Sequence, residues 1–172
     1  MNADYKKSSD PRLSASIRGY KDYLALAIAT CGVGYMPLAP GTFGSLVGVA
    51  IFWGLTRIAG AVLLIAAILV FIFAGIWAGT RTEALSGRKD PGKIVVDEVA
   101  GQLIALFPLT LFTRWSTLAV IISFILFRFF DIVKPYPANR LQELNGGAGV
   151  MFDDLVAGVY AAIVVSIILK IF

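Results

Sequence analysis

The chain alternates between apolar stretches and short polar segments. The apolar stretches cover residues 46–55, 58–79, 99–112, 116–130 and 155–172. The second stretch is by itself long enough to cross a hydrocarbon core of about 30 Å as a helix. Thr56 and Arg57 predict a turn that pairs the first two stretches as a hairpin, and the third reaches membrane length if its helix starts at Ile94, with a kink at Pro108. The pattern predicts an all-α, polytopic membrane helical bundle with short or broken helices, four or five spans and one polar face.

The first polar segment differs from the rest of the chain. Residues 1–23 carry five basic and three acidic side chains and show little apolar periodicity. We predict a basic cytosolic tail, partly disordered, followed by a single membrane-embedded helical domain over residues 24–172.

A Gly- and Pro-rich segment, GVGYMPLAPGTFGS, occupies residues 32–45. Its four glycines and two prolines favour a tight loop with exposed backbone N–H groups. Such a loop can bind a phosphate, for which Gly41 and Thr42 are the candidates, or it can simply interrupt a helix. It is not a Walker motif, because no Gly-Lys-Ser/Thr ends it.

Composition places the chain in the membrane and limits its chemistry. Hydrophobic residues make up 58% and charged residues 15%, against about 45–50% and about 25% in soluble domains. The single Cys31 excludes an internal disulfide, and with no His in the chain a zinc site of the usual kind is excluded as well. The absence of His also removes the commonest general base. Any metal must therefore be bound by oxygen.

The basic residues indicate the orientation in the membrane. On the predicted topology, twelve of the fifteen Lys and Arg lie on one side and only Arg57, Arg114 and Lys170 on the other. This bias predicts that the tail, the 80–98 loop and the 128–154 segment face the cytosol.

The acidic residues gather on the same side. Six of them lie at or near predicted helix ends: Glu83, Asp97, Glu98, Asp131, Asp153 and Asp154. So many carboxylates at one level would repel each other unless a cation lay among them. Oxygen ligands of this kind favour Mg²⁺, which often shares its coordination shell with a phosphate.

Two basic residues and a glycine turn accompany these acids. Arg128 and Lys134 suit the binding of phosphate oxygens, although Arg128 can instead form a surface ion pair with Asp131, and Lys134 can extend toward lipid headgroups. Gly146 and Gly147 belong to a turn that binds an anion only if its amides converge.

The two adjacent acids also have a structural interpretation. Asp153 and Asp154 can act as the N-cap and first residue of the last helix, where the helix dipole favours negative charge. One acid can be satisfied in this way, so the pair together favours a functional role.

Four segments carry a resemblance to a known family. GVGYMPLAPGTFGS, VVDEVAG, FRFFDIVKPYP and GGAGVMFDDLVAG, in this order over residues 32–158, resemble the phosphatidylglycerophosphatase A family. The combination is specific, although each segment alone is weak. The tail before Tyr23 is not part of the family pattern.

The resemblance implies a Mg²⁺-dependent lipid phosphatase that converts phosphatidylglycerophosphate to phosphatidylglycerol and inorganic phosphate, with residues 24–172 as its catalytic domain. The implied partners are an anionic phospholipid and the bacterial inner membrane, with the active site facing the cytosol, and no nucleic acid. The expected metal ligands and catalytic groups are Asp97, Glu98, Asp131, Asp153 and Asp154, with Glu83 as a further ligand. The expected substrate-binding residues are Arg128, Lys134, Thr42, Gly41, Gly146 and Gly147. The oligomeric state is left open.

Two other classes of membrane protein also bind cations through carboxylates, but the sequence favours neither. A small transporter would place acids at mid-span along a path, whereas here they lie at one surface. A Mg²⁺-dependent CDP-alcohol phosphotransferase needs a D-G-x-x-A-R start, but Asp154 follows Asp153 directly.

Overall fold

The computed structural model describes residues 19–58, 60–111 and 116–171, and these are helical with no strand. The helices are α1 Tyr20–Thr30, α2 Pro40–Ile58, α3 Gly60–Ser86, α4 Val96–Leu106, α5 Thr117–Val133, α6 Ala138–Leu141 and α7 Gly147–Ile171, with a 3-10 helix Phe107–Leu111 after α4. The predicted all-α class is confirmed.

Three of the described helices are long and apolar enough to cross a membrane: α2, α3 and α7. The described residues thus contain three helices of this kind, against the four or five spans expected from the sequence. The predicted third span is divided into the 11 residues of α4 and the 3-10 helix that contains Pro108. The helix also begins at Val96 rather than at Ile94, and α5 has only 17 residues.

Helix α4 lies at the centre of the bundle. Nine of its 11 residues are buried, and it packs against α2, α3, α5 and α7. A helix enclosed on all sides can be short, because its neighbours rather than lipid cover its apolar surface. Its first turn, with Asp97 and Glu98, lies at one end of this core.

Glycines allow the close approach of the neighbouring helices to α4. A Cβ on Gly44 would lie 2.9 Å from Val95 Cβ, and one on Gly48 would lie 3.0 Å from Gln102 Cβ. On the opposite side, a Cβ on Gly158 would overlap the carbonyl of Gly101. Small residues at such crossings are typical of helices packed within membranes.

Several predicted boundaries move. The 32–45 segment is irregular only as far as Ala39, since α2 begins at Pro40, a favoured first helical residue. The 80–98 segment is not all loop either, because α3 continues to Ser86. The hairpin of α2 and α3 is confirmed, but Thr56 and Arg57 belong to α2 rather than to the turn.

The boundary predicted between residues 23 and 24 falls inside a helix. Helix α1 begins at Tyr20, and its buried Asp22 pairs with Arg81 of α3, with 2.7 Å between Oδ1 and Nε. The end of the predicted tail thus belongs to the folded bundle. Residues 1–18 and the turn at 113–115, with Arg114, lie outside the described residues.

Candidate active site

Three helices bring five carboxylates to one end of the bundle. Asp97 and Glu98 lie in the first turn of α4, Asp131 near the end of α5, and Asp153 and Asp154 in the second turn of α7. Because α7 begins at Gly147, neither acid is an N-cap, and the structural interpretation of this pair is wrong. All but Glu98 are buried, and the Glu98 side chain is only 15% exposed.

Asp97, Glu98 and Asp154 form a group that can bind a cation. Each offers a carboxylate oxygen, and these oxygens all lie within 4.8 Å of one another. Opposite ligands of an octahedral Mg²⁺ are about 4.2 Å apart, from Mg–O distances of about 2.1 Å. Asp97 Oδ1 and Glu98 Oε2 are buried and have no hydrogen-bond partner. The donor set and its unpartnered oxygens therefore fit a hard divalent cation.

The other two carboxylates are paired with the two basic residues. Arg128 Nη1 lies 2.7 Å from Asp131 Oδ2, and Lys134 Nζ donates a hydrogen bond to Asp153. The ion pair that the spacing of Arg128 and Asp131 suggested is thus formed. It is not an ordinary surface pair, because Asp131 is buried and Arg128 Nη1 also lies 4.0 Å from Glu98 Oε1.

Burial and mutual repulsion shift the pKa values at this end of the bundle. Burial raises the pKa of Asp97 well above its usual range, and the charges of Glu98 and Asp154 raise it further. Burial acts to lower the pKa of Lys134, but the hydrogen bond and charge of Asp153 outweigh it, so the pKa is raised. The surroundings therefore favour the charged form of Lys134 and disfavour the charged form of Asp97.

Glu83 lies outside the group that can bind a cation. Its Oε1 accepts a hydrogen bond of 2.8 Å from the backbone N–H of Asp90. Glu83 lies half-buried in the last turn of α3, and Asp90 lies in the exposed connection between α3 and α4.

In the first turn of α2, two amides of the predicted phosphate loop already have partners. The N–H groups of Thr42 and Phe43 both donate to the carbonyl of Ala39, which satisfies them as helix-starting bonds. Gly41 instead contacts the carboxylates, because a Cβ there would overlap Glu98 Oε1 and lie 3.2 Å from Arg128 Nη1. The structure thus gives Gly41 a packing role beside Glu98.

The glycine turn before α7 uses one of its amides in a bond to α3. Gly146 adopts a positive φ of 70°, which glycine tolerates, but the N–H of Gly147 donates to Thr80 Oγ1 at 2.8 Å. A Cβ on Gly147 would overlap the carbonyl of Ile76, so this glycine permits the contact of α7 with α3.

Two polar residues near the site were not anticipated. Ser45 donates to the carbonyl of Gly41 and accepts a 3.4 Å hydrogen bond from Arg128 Nη1. Gln102 lies one turn after Glu98 on α4 and is fully buried. The four-residue spacings of 41 to 45 and of 98 to 102 were the available signals, since such residues share a helix face.

The charges of the site form two levels. The carboxylates of Asp97 and Asp154 are buried, whereas the side chains of Arg128 and Lys134 are 19% and 27% exposed. Arg128 and Lys134 retain further N–H donors beyond those bonded to the acids. Cations near the surface and a cation-binding carboxylate group beneath them suit the binding of a phosphate monoester.

Comparison with known proteins agrees with this arrangement. The family model described as Phosphatidylglycerophosphatase A matches residues 26–169. Curated relatives include the "Putative phosphatidylinositol-3-phosphatase" of Bacteroides thetaiotaomicron, 40% identical over 150 residues, which covers 84% of this chain and 93% of the relative.

Two further relatives are named Phosphatidylglycerophosphatase A. The one from Haemophilus influenzae is 40% identical over 137 residues, covering 78% of this chain and 81% of the relative. The one from Escherichia coli K12 is 36% identical over 132 residues, covering 76% and 74%. No solved structure matches the chain. The extent of these matches shows that this membrane protein belongs to the phosphatidylglycerophosphatase A family.

Proposed function

We propose that Asp97, Glu98 and Asp154 hold a Mg²⁺ ion with which the protein hydrolyses the terminal phosphate monoester of phosphatidylglycerophosphate. Membership of the family supports phosphatidylglycerophosphate phosphatase activity. The observation that carries the metal assignment is the meeting of three carboxylate oxygens from α4 and α7 within 4.8 Å, two of the side chains having an unpartnered buried oxygen. The products are phosphatidylglycerol and inorganic phosphate.

The basic and acidic side chains of the site have different roles in the reaction. Lys134 and Arg128 bind the nonbridging phosphate oxygens through N–H donors that Asp153 and Asp131 do not use. One carboxylate takes a proton from the attacking water, whose oxygen forms the new bond to phosphorus as the bond to the glycerol oxygen breaks. The departing alkoxide takes up the proton that this carboxyl group received, which restores the carboxylate. Mg²⁺, when bound, supplies neutralising charge for the phosphoryl oxygens.

Asp131 and Asp153 orient the basic side chains of Arg128 and Lys134. Both carboxylates are buried, so each fixes the position of the basic side chain with which it pairs. Because the electrostatic partners are held before the substrate arrives, less reorganisation is needed in the transition state.

The orientation follows from the charges. The five carboxylates lie at one end of the bundle, whereas Arg57 and Lys170 lie in the last turns of α2 and α7. Together with the basic segments near the carboxylates, this distribution supports insertion in the bacterial inner membrane with the active site toward the cytosol. The phospholipid substrate then enters from the cytosolic leaflet.

A second candidate substrate is a phosphoinositide. The Bacteroides relative, whose name refers to phosphatidylinositol 3-phosphate, is 40% identical and is matched over 93% of its length. Both lipids present a phosphate monoester on a headgroup that also carries a free hydroxyl group, so the carboxylate group and the basic side chains would serve either. The difference between them would depend on residues that contact the rest of the headgroup.

One assay separates these possibilities. Purified protein in detergent is given phosphatidylglycerophosphate, phosphatidylinositol 3-phosphate, phosphatidate or a CDP-lipid, each with Mg²⁺ or with EDTA, and phosphate release is measured. We expect release from phosphatidylglycerophosphate with Mg²⁺ and none in EDTA. Preference for the inositol lipid would replace the proposed substrate, and full activity in EDTA would refute the metal site.

A further inference from the structure

Gln102 is the most unusual buried side chain close to the carboxylates. It is 0% exposed, and neither its Oε1 nor its Nε2 has a hydrogen-bond partner. A buried amide without a partner destabilises the fold, whereas an apolar side chain of similar size would not. The residue therefore requires an explanation other than packing.

The position of Gln102 relates it to Glu98. The two residues are four apart on α4, so their side chains lie on the same face of this helix, one turn from each other. Helix α2 covers both: a Cβ on Gly48 would lie 3.2 Å from Gln102 Cγ, and a Cβ on Gly44 would lie 3.4 Å from Glu98 Cβ. The glycine face of α2 leaves room for both long polar side chains inside the bundle.

The two side chains are also complementary. Glu98 Oε2 is buried and lacks a donor, while Gln102 Nε2 is buried and lacks an acceptor. Arg128 Nη1 approaches the other oxygen, Oε1, at 4.0 Å. A hydrogen bond donated by Nε2 to Oε2 would satisfy both atoms.

We propose that Gln102 is a positioning residue that donates a hydrogen bond to the carboxylate of Glu98 and so fixes it as a ligand of the divalent cation. This inference rests on the proposed function, since it needs Glu98 to bind the metal. Partners that orient a metal ligand from behind commonly change metal affinity by about 10- to 100-fold when they are removed. Gln102 itself touches neither substrate nor metal.

The test is a direct measurement of Mg²⁺ binding to purified protein in detergent, by titration calorimetry, for wild type and Gln102→Met. Methionine keeps the length of the side chain and removes both polar atoms. The matched control is Thr82→Val, because Thr82 on α3 is also 0% exposed and its Oγ1 is unpartnered. Gln102→Leu is a second variant without the amide, for use if Gln102→Met does not accumulate.

We expect Gln102→Met to bind Mg²⁺ about 10- to 100-fold more weakly than wild type, and Thr82→Val to bind it as wild type does. In EDTA the unfolding temperature of Gln102→Met should equal or exceed that of wild type, because two unpartnered polar atoms are lost. If Gln102 only packed, Gln102→Met should bind Mg²⁺ as wild type does and should unfold at a lower temperature than wild type.

Three outcomes would overturn the inference. Unchanged Mg²⁺ affinity in Gln102→Met and Gln102→Leu would do so, as would an equal loss of affinity in Thr82→Val. If wild type itself bound no Mg²⁺, the metal site of the proposed function would fail and the inference with it. The first two results leave the proposed function intact, so the two failures are distinguishable.

Discussion

Lys134 donates a hydrogen bond to Asp153 and so connects the end of α5 to the second turn of α7. Lys134 also ends α5 in a left-handed conformation, with φ 45°, immediately before Pro135. The pair therefore combines a structural link with a cation at the edge of the site. Its variants should affect both stability and catalysis.

Removal of this cation should leave a buried carboxylate without its partner. We expect Lys134→Ala to lower the free energy of unfolding by about 2 kcal/mol, less than the roughly 3–5 kcal/mol for a fully buried pair, because the Lys134 side chain is 27% exposed. The Michaelis constant should rise and kcat should fall, with Mg²⁺ dependence unchanged. Thermal unfolding and phosphate release measure the two effects.

The double variant Lys134→Ala/Asp153→Asn separates these effects. Loss of both charges should restore most of the stability but not the activity, because the substrate phosphate still lacks its cation. Recovery of activity along with stability would show that Lys134 has only a structural role.

If Asp97, Glu98 and Asp154 bind the metal, replacing one carboxylate by an amide of the same shape should greatly lower the rate. We expect Asp154→Asn to lower kcat by roughly a hundredfold or more, in the range found when one preorganised electrostatic partner is removed. The protein should remain inserted and folded, since Asp154 is not a helix cap. Phosphate release at increasing Mg²⁺ concentration measures the loss.

Glu83→Gln is the comparison for this variant. Glu83 is an acid of the same end of the molecule that lies outside the cation-binding group. Its substitution should change the rate by no more than about twofold, as expected for a position away from the reacting groups. Equal losses in the two variants would mean that the structure groups the wrong carboxylates.

Two glycines of α2 provide a matched pair of substitutions. A Cβ on Gly41 would overlap Glu98 Oε1, whereas one on Gly54 would meet no atom within 4 Å. Gly41→Ala should therefore displace Glu98 and lower kcat about tenfold or more, since small displacements of catalytic groups are costly. Gly54→Ala should keep the activity and raise stability by about 0.5–1 kcal/mol.

Equal activity of the two alanine variants would contradict this role of Gly41. Circular dichroism and thermal unfolding show whether each variant keeps its helices, so that a loss of fold is not mistaken for a displaced carboxylate.

The orientation of the bundle can be measured with single cysteines. Gly92 and Thr117 are exposed, and a Cβ on Gly92 would meet no atom within 4 Å. We expect Gly92→Cys to react with an impermeant thiol reagent only from the cytosolic side and Thr117→Cys only from the outside. The reverse pattern would overturn the charge argument for orientation.

The native cysteine should not interfere with this labelling. Burial, followed by the charge of Glu98, raises the pKa of Cys31 to about 11. Because the thiolate is the reactive form, Cys31 should be nearly inert near neutral pH and become reactive only as the pH approaches that value. Rapid labelling of wild type at pH 7 would contradict this expectation.

The sequence supported the helical class and the shared location of the carboxylates better than the limits of the helices. Charged residues at the ends of apolar stretches are informative, because they are costly inside the hydrocarbon. The division of roles among the acids required the structure. Asp131 and Asp153 resemble Asp97 and Asp154 in sequence, but the first two meet basic side chains and the second two meet other carboxylates.

The glycine motifs illustrate a different limit. Gly41 and Gly147 suggested phosphate-binding amides, because glycine is common where a backbone approaches an anion. In the folded chain, each glycine instead allows another helix to come close. Local sequence does not distinguish the two uses, since both require only the absence of a side chain.

The enclosure of α4 has a consequence for how the protein is assembled. A short helix that carries Asp97, Glu98 and Gln102 in or near its first turns is a poor candidate for stable insertion into lipid alone. The longer helices α2, α3 and α7 can enter the bilayer independently, so α4 must find its place as they come together. The five carboxylates would then be brought together only in the last stage of folding. If they form the active site as proposed, a chain arrested before that stage would be inserted but inactive.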